Sequence, residues 1–328
     1  MSTLAQGPAI RGHKPSGPRA LRGLAWLMVH QHRAALLSCL ALTLLGAAWI
    51  IYQRGAMLDS LHAAGWPGKS ADSLPGDLTN RISNDLNSGG TTLGALPILL
   101  GAFLGAPLIA ADYENGTGRL VATQSVSRLQ WLLAKISFAL IVVTVPATVL
   151  SLLYGWWWRS LGPLAPNDWL SGALFDTTGP VLVATTLCTT SLGMAVGTLL
   201  RRGTPATVAT FLISGIGLTG AGVFRNELAT PRRVAWPLDG AMPAALNGGI
   251  EVDQWVGTAS GKLYGWSTCV HDASTEKCRS DLGIVNSVRD YFGRDQMVGM
   301  QWTATGLLLA LTALFLGVCV VRARKGRL

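Results

Sequence analysis

Six stretches of about 20 apolar residues, none containing a carboxylate, constrain this chain more than any motif: Ala34–Tyr52, Thr91–Ala111, Leu132–Tyr154, Pro180–Leu200, Thr204–Val223 and Trp302–Val321. About 20 residues of helix cover the roughly 30 Å of a bilayer's hydrocarbon core. The single charge inside a run is Lys135, near a helix end from which a lysine stem can snorkel to the interface. Burying all six inside a soluble domain is excluded by supply. Only 13% of the residues are charged, against about 25% in a soluble domain, too few to cover them. The expected fold is all-α: a polytopic membrane protein of six transmembrane helices, with an extracytoplasmic insertion between helices five and six.

The basic residues orient these helices. Segments 1–33, 112–135, 201–203 and 322–328 together hold 14 Lys and Arg, whereas 53–90 holds three and 155–179 one. Short loops rich in Lys and Arg stay inside, which puts both termini in the cytoplasm; Arg outnumbering Lys 20 to 6, with abundant Gly and Ala, suits a GC-rich bacterium, so the expected membrane is a bacterial plasma membrane. Residues 224–301 carry eight more, but a long segment is translocated largely regardless of charge. The inner segments hold only two carboxylates, Asp112 and Glu114. The net charge of +9 is therefore a topology signal and implies no nucleic-acid partner. Four units follow: a tail with an interfacial helix (1–33), helices one to five (34–223), an extracytoplasmic insertion (224–301), and helix six with a basic tail (302–328).

Each connection has its own character. The first apolar run starts after 33 residues and is long enough to span, unlike a cleaved signal. Pro18–Arg33 separates Arg19, Arg22, His30 and Arg33 from Leu21, Leu24, Ala25 and Met28, the pattern of a helix lying on a membrane surface. Residues 53–90 read as an extracytoplasmic connection without a usable motif. Trp156, Trp157 and Trp158 sit at headgroup level. Gly101 with Gly105, and Gly193 with Gly197, have the spacing that lets helices approach closely, most simply within one subunit. In the insertion, the apolar 234–247 stretch broken by Pro237 and Pro243 suits a segment dipping into the outer leaflet. Asp281–Gln296 reads as an amphipathic helix. Cys269 and Cys278 are the two cysteines outside the spans and can form a disulfide if the insertion is extracytoplasmic. No metal site is expected.

The segment from Asp112 to Lys135 carries the most information. Gly116 and Gly118 can end the second helix. Arg119–Gln124 can form just over one turn of surface helix. Ser127 and Gln130 have capping-box spacing at the start of the third span, and Arg128, Trp131 and Lys135 share one face of it. The order of Glu114, Gly116-Thr117, Leu120, Ser125-Val126-Ser127-Arg128 and Lys135 resembles the loop between the second and third helices in permease subunits of type-2 ABC transporters. Ser125 stands where that family more often has Pro. Trp26 and Gln31-His32-Arg33 resemble the entry to the first span in many actinobacterial members.

The resemblance implies a coupling loop, 112–130, that docks on an ATPase through Glu114, Gly116, Thr117, Leu120, Val121, Arg128 and Lys135. It implies an exporter with two ATPase subunits per complex, a second copy or a homologous permease, and ATP and Mg bound on the partner rather than on this chain. The residues agree on that division of labour. Gly257-Thr258-Ala259-Ser260-Gly261-Lys262 is one residue short of a phosphate-binding loop and is followed by Leu263. Neither HExxH, nor GxSxG, nor an intramembrane carboxylate cluster occurs, so no cofactor, metal or catalytic residue is expected here. A pathway poor in charge favours lipophilic or amphipathic cargo. The alternative function is a membrane scaffold or sensor subunit, or a carrier outside the ABC class.

Overall fold

The structure, a computed structural model, describes residues 26, 28–70, 73–114, 127–164 and 169–325. Among the described residues, six helices are long and apolar enough to cross a membrane. Span one is α1 (Arg33–Ala63). Span two strings together α2 (Gly76–Gly94), α3 (Leu96–Leu100), a π-helical turn (Gly101–Gly105) and α4 (Ala106–Glu114). Span three is α5 (Arg128–Leu161), and the four-residue α6 (Gly172–Phe175) precedes span four, α7 (Val181–Leu200). Span five is α8 (Gly203–Val223). The insertion comes next, with β1 (Arg232–Pro237), β2 (Ile250–Thr258), β3 (Leu263–Gly265), α9 (Thr275–Leu282) and β4 (Ile284–Phe292). Span six is α10 (Gln296–Arg324).

The apolar runs locate the spans but not the helix lengths. A helix continues wherever backbone hydrogen bonds and one packed face support it, so α1 runs well past Tyr52 and span two begins at Gly76. The polar 53–90 segment is therefore mostly helix rather than an irregular connection. In α2, Ile82, Leu86, Gly89, Gly90 and Leu93 are buried at helical spacing under a polar outer face.

Span four is the centre of the bundle: 83% of its apolar window is buried, against 17% for spans five and six and 11% for span one. The peripheral helices turn leucine and isoleucine outward, as lipid contact requires. Spans two and four approach closely along the predicted glycine pairs. A Cβ on Gly101 would lie 2.7 Å from the carbonyl oxygen of Thr189, and Gly193 in turn faces the Gly101 carbonyl. Those glycines pack within one chain. The Thr189 hydroxyl donates to Pro97 O at 2.6 Å, satisfying a carbonyl beside the π turn.

Two expectations for the insertion are corrected. It contains a four-stranded antiparallel sheet of order β1-β4-β2-β3. The first part of the 234–247 stretch belongs to edge strand β1, paired Val234↔Arg289 and Trp236↔Ser287, where a segment dipping into the outer leaflet was expected. Asp281–Gln296 is mainly the central strand β4, not a helix. A buried, non-spanning element does exist, but between spans three and four. There Trp169, Phe175 and Thr177 are fully enclosed.

Candidate functional site

Ser127 starts span three in the way its spacing predicts. Its hydroxyl accepts from Gln130 N at 3.2 Å, and the Gln130 side chain accepts from Ser127 N at 3.1 Å. Two otherwise orphaned amides at the helix N-terminus are thereby satisfied. Two turns further, Lys135 departs from expectation. It does not snorkel but is buried, 1% exposed, and pairs with Asp112 at the end of span two. Its ammonium also donates to Leu108 O at 2.8 Å and lies 4.6 Å from the Trp131 ring centroid. The physical reason is topological: closing the loop between spans two and three places a carboxylate opposite the lysine, and a paired ion is cheaper to bury than a lone one.

Asp112, Tyr113 and Glu114 each reach a different element. Asp112 holds span three through Lys135. Tyr113 lies under the Arg201 guanidinium, 5.5 Å from ring centroid to cation, beside the turn joining spans four and five. Glu114 accepts from Gly203 N at 2.9 Å, at the first turn of span five, where a carboxylate complements the helix dipole. Arg201 makes the tight turn by adopting φ 57°, a left-handed angle.

Of the sequence-derived site residues, Glu114, Lys135 and Arg128 lie at these converging helix ends. Gly116, Thr117, Leu120 and Val121 lie outside the described residues. Asp112 was missed as a pairing residue. Its signal was the scarcity of carboxylates on this side, only two in all.

A second polar cluster gathers around the buried 169–180 element. Gln301 of span six donates to Phe175 O and Thr178 O at 3.0 and 3.1 Å. Ser151 of span three donates to Gly179 O at 3.1 Å. Arg225, just after span five, pairs with Asp176, and Trp169 Nε1 donates to Gly248 O at 3.2 Å. The element thus ties spans three and six to the insertion.

Cys269 and Cys278 form a disulfide, with Cα atoms 5.6 Å apart. Asp272 lies beside them in a grouping whose spacing would suit a metal. The disulfide removes both thiolates, however, so these residues do not fit one.

Comparison with known proteins adds one match. The family described as ABC-2 membrane transporter related covers residues 40–223, from within span one to the end of span five, including the segment between spans two and three. No curated protein and no solved structure matches the chain.

Proposed function

The chain belongs to the ABC-2 membrane transporter related family as an ABC transporter permease, and on that premise we propose that it is the membrane half of an exporter powered by a separate ATPase. The observation that carries this reading is the family match, because it spans the segment in which the motif order lies. Two ATPase subunits would hydrolyse ATP with Mg and push on loop 112–130 from the cytoplasm. A second permease, identical or homologous, would complete the pathway. The side chains at the loop's base supply the relay. Asp112–Lys135 joins the helices that carry the two ends of the loop, and Glu114 joins the first of them to span five. A push on the loop is thereby delivered to three spans at once.

The test is affinity purification of the tagged full chain in mild detergent, scored for a co-purifying subunit and for ATP hydrolysis. A stoichiometric ATPase whose turnover changes on reconstitution with the permease supports the exporter. Quantitative recovery of the permease without any ATPase would remove it in favour of a scaffold or a carrier.

A further inference from the structure

Span two is built in two halves with separate anchorages. The outer half, α2 and α3, is fixed to its surroundings. Leu86 O accepts from the Tyr154 hydroxyl at 2.9 Å, Gly90 backs onto the Ala173 carbonyl of the buried element, and Pro97 O accepts from Thr189. The inner half, α4, is fixed to the coupling end through Leu108 O, Asp112 and Glu114. Between the halves lies the π turn Gly101–Gly105, closed by a bond from Ala106 N to Gly101 O, five residues back.

Such a turn holds one residue more than an α turn. At 3.6 residues per turn, that residue corresponds to about 100° of rotation. Pro107 follows closely and has no N–H to give to Phe103 O, a defect that a wider turn can absorb in lipid. Proline alone does not force the turn, since span three runs through Pro146 as a continuous α-helix.

What distinguishes the π turn is its bearing on span four. Gly101 and Gly105 lie against the backbone of Thr189 and Thr190, while Gly193 and Gly197 lie against Gly101 O and Ala106. The contact is mostly backbone on backbone, so the turn can rotate without dragging long side chains past one another. Thr190 is fully buried beside it, and the Thr190 hydroxyl has no hydrogen-bond partner. An enclosed hydroxyl without a bond is a cost of this register, and one that a shift of the turn's carbonyls can relieve.

We propose that the π turn is a register joint. Under load from the coupling end, the wide turn closes to α geometry, α4 rotates together with the base of span three, and the outer half stays fixed. The use of the joint in transport rests on the export reading; its existence does not.

Hydrogen exchange of the full chain in nanodiscs tests the joint without any ATPase. Amides of residues 101–108 should exchange at least about tenfold faster than those of Thr185–Val196 in span four, because opening at the joint needs no wider unfolding. A locked variant deletes the outward-facing Phe103 and carries Pro107→Ala, which lets span two close as regular α-helix with both halves in place. Its exchange over the same stretch should fall to the level of span four. Pro107→Ala alone, which restores one amide, should slow exchange by a smaller factor. In complex with the co-purified ATPase, the locked variant should bind the ATPase as wild type does but no longer alter its turnover.

Protection of 101–108 in wild type equal to that of span four would overturn the joint. So would normal coupling in a locked variant whose exchange shows the turn closed. If the deletion prevents folding, Pro107→Ala decides by the same readings, and exchange left unslowed in it would overturn the joint. Recovery of wild type without any ATPase would remove the export reading, and exchange alone would then decide the joint.

Discussion

A lone lysine in hydrocarbon costs about 2.5–3.5 kcal/mol on insertion scales. Lys135 meets that cost with the Asp112 carboxylate, the Leu108 carbonyl and the face of Trp131. Breaking such a pair by removing one partner leaves the other charge buried, typically at about 3–5 kcal/mol. Lys135→Met and Asp112→Asn should therefore each lower the detergent melting temperature strongly. Lys135→Met combined with Asp112→Leu should recover much of the loss, and a double-variant cycle showing simple additivity would refute the pairing. Ser127→Ala is expected to be milder, at about 1 kcal/mol for a lost N-cap. The cap was legible because it is a local rule of spacing. The lysine's partner was not, because Asp112 and Lys135 meet only once two spans and the loop between them have folded back. A residue-by-residue reading sees a basic group near a helix end and gives it the commoner fate.

At the scale of elements, hydropathy found the spans because a helix in lipid needs an uninterrupted apolar length. It misread the insertion for an equally physical reason. Ile284, Val288 and Tyr291 are spaced four and three apart, which mimics a helix face, yet all three are buried in β4. What decides the structure is pairing with β1 and β2 on either side, and the β-branched and aromatic content was the better guide. The π turn left no sequence trace beyond two glycines. Two outcomes test the insertion. Replacing Cys269 and Cys278 with Ser should destabilise it by about 2.5–3 kcal/mol in the chain-entropy account, and intact mass of the unreduced wild type should show two hydrogens missing.

Acid should act through a different contact in the same insertion. The hydrogen bond from Arg233 holds the Asp290 carboxyl below the usual carboxylate range, at 2.7 Å. A depressed carboxylate stabilises the folded form above its unfolded pKa of about 3.9 and stops doing so as pH falls through the lower folded value. The insertion's melting, followed by tryptophan fluorescence, should then be flat from neutral pH to about 5 and decline below about 4. Asp290→Asn should remove part of that decline; an unchanged acid limb would rule the contact out as its source.

For the whole molecule the question is how a helical bundle with no ATP motif of its own is driven. Sidedness comes first. A Cys introduced at Ser260, in the β2–β3 turn of the insertion, should react with an impermeant reagent applied from outside, and labelling only after permeabilisation would invert the topology. If loop 112–130 docks an ATPase as proposed, Leu120 and Val121 are its expected apolar anchors. An interface that small depends on a few anchors, so replacing both with Asp should abolish ATPase association and transport together. Insertion and melting should be unchanged, because the substitutions fall in a polar stretch of the sequence and leave the six apolar spans and the Asp112–Lys135 pair intact. The comparison that separates docking from relay sets this variant beside Asp112→Asn. The loop variant should lose the ATPase from the purified complex, whereas Asp112→Asn should keep it bound but disconnect its hydrolysis from the membrane half. Undiminished association in the Leu120 and Val121 variant would place the docking surface elsewhere on the chain. Normal coupling in a stably folded Asp112→Asn variant would mean that motion reaches the spans without passing through the buried pair.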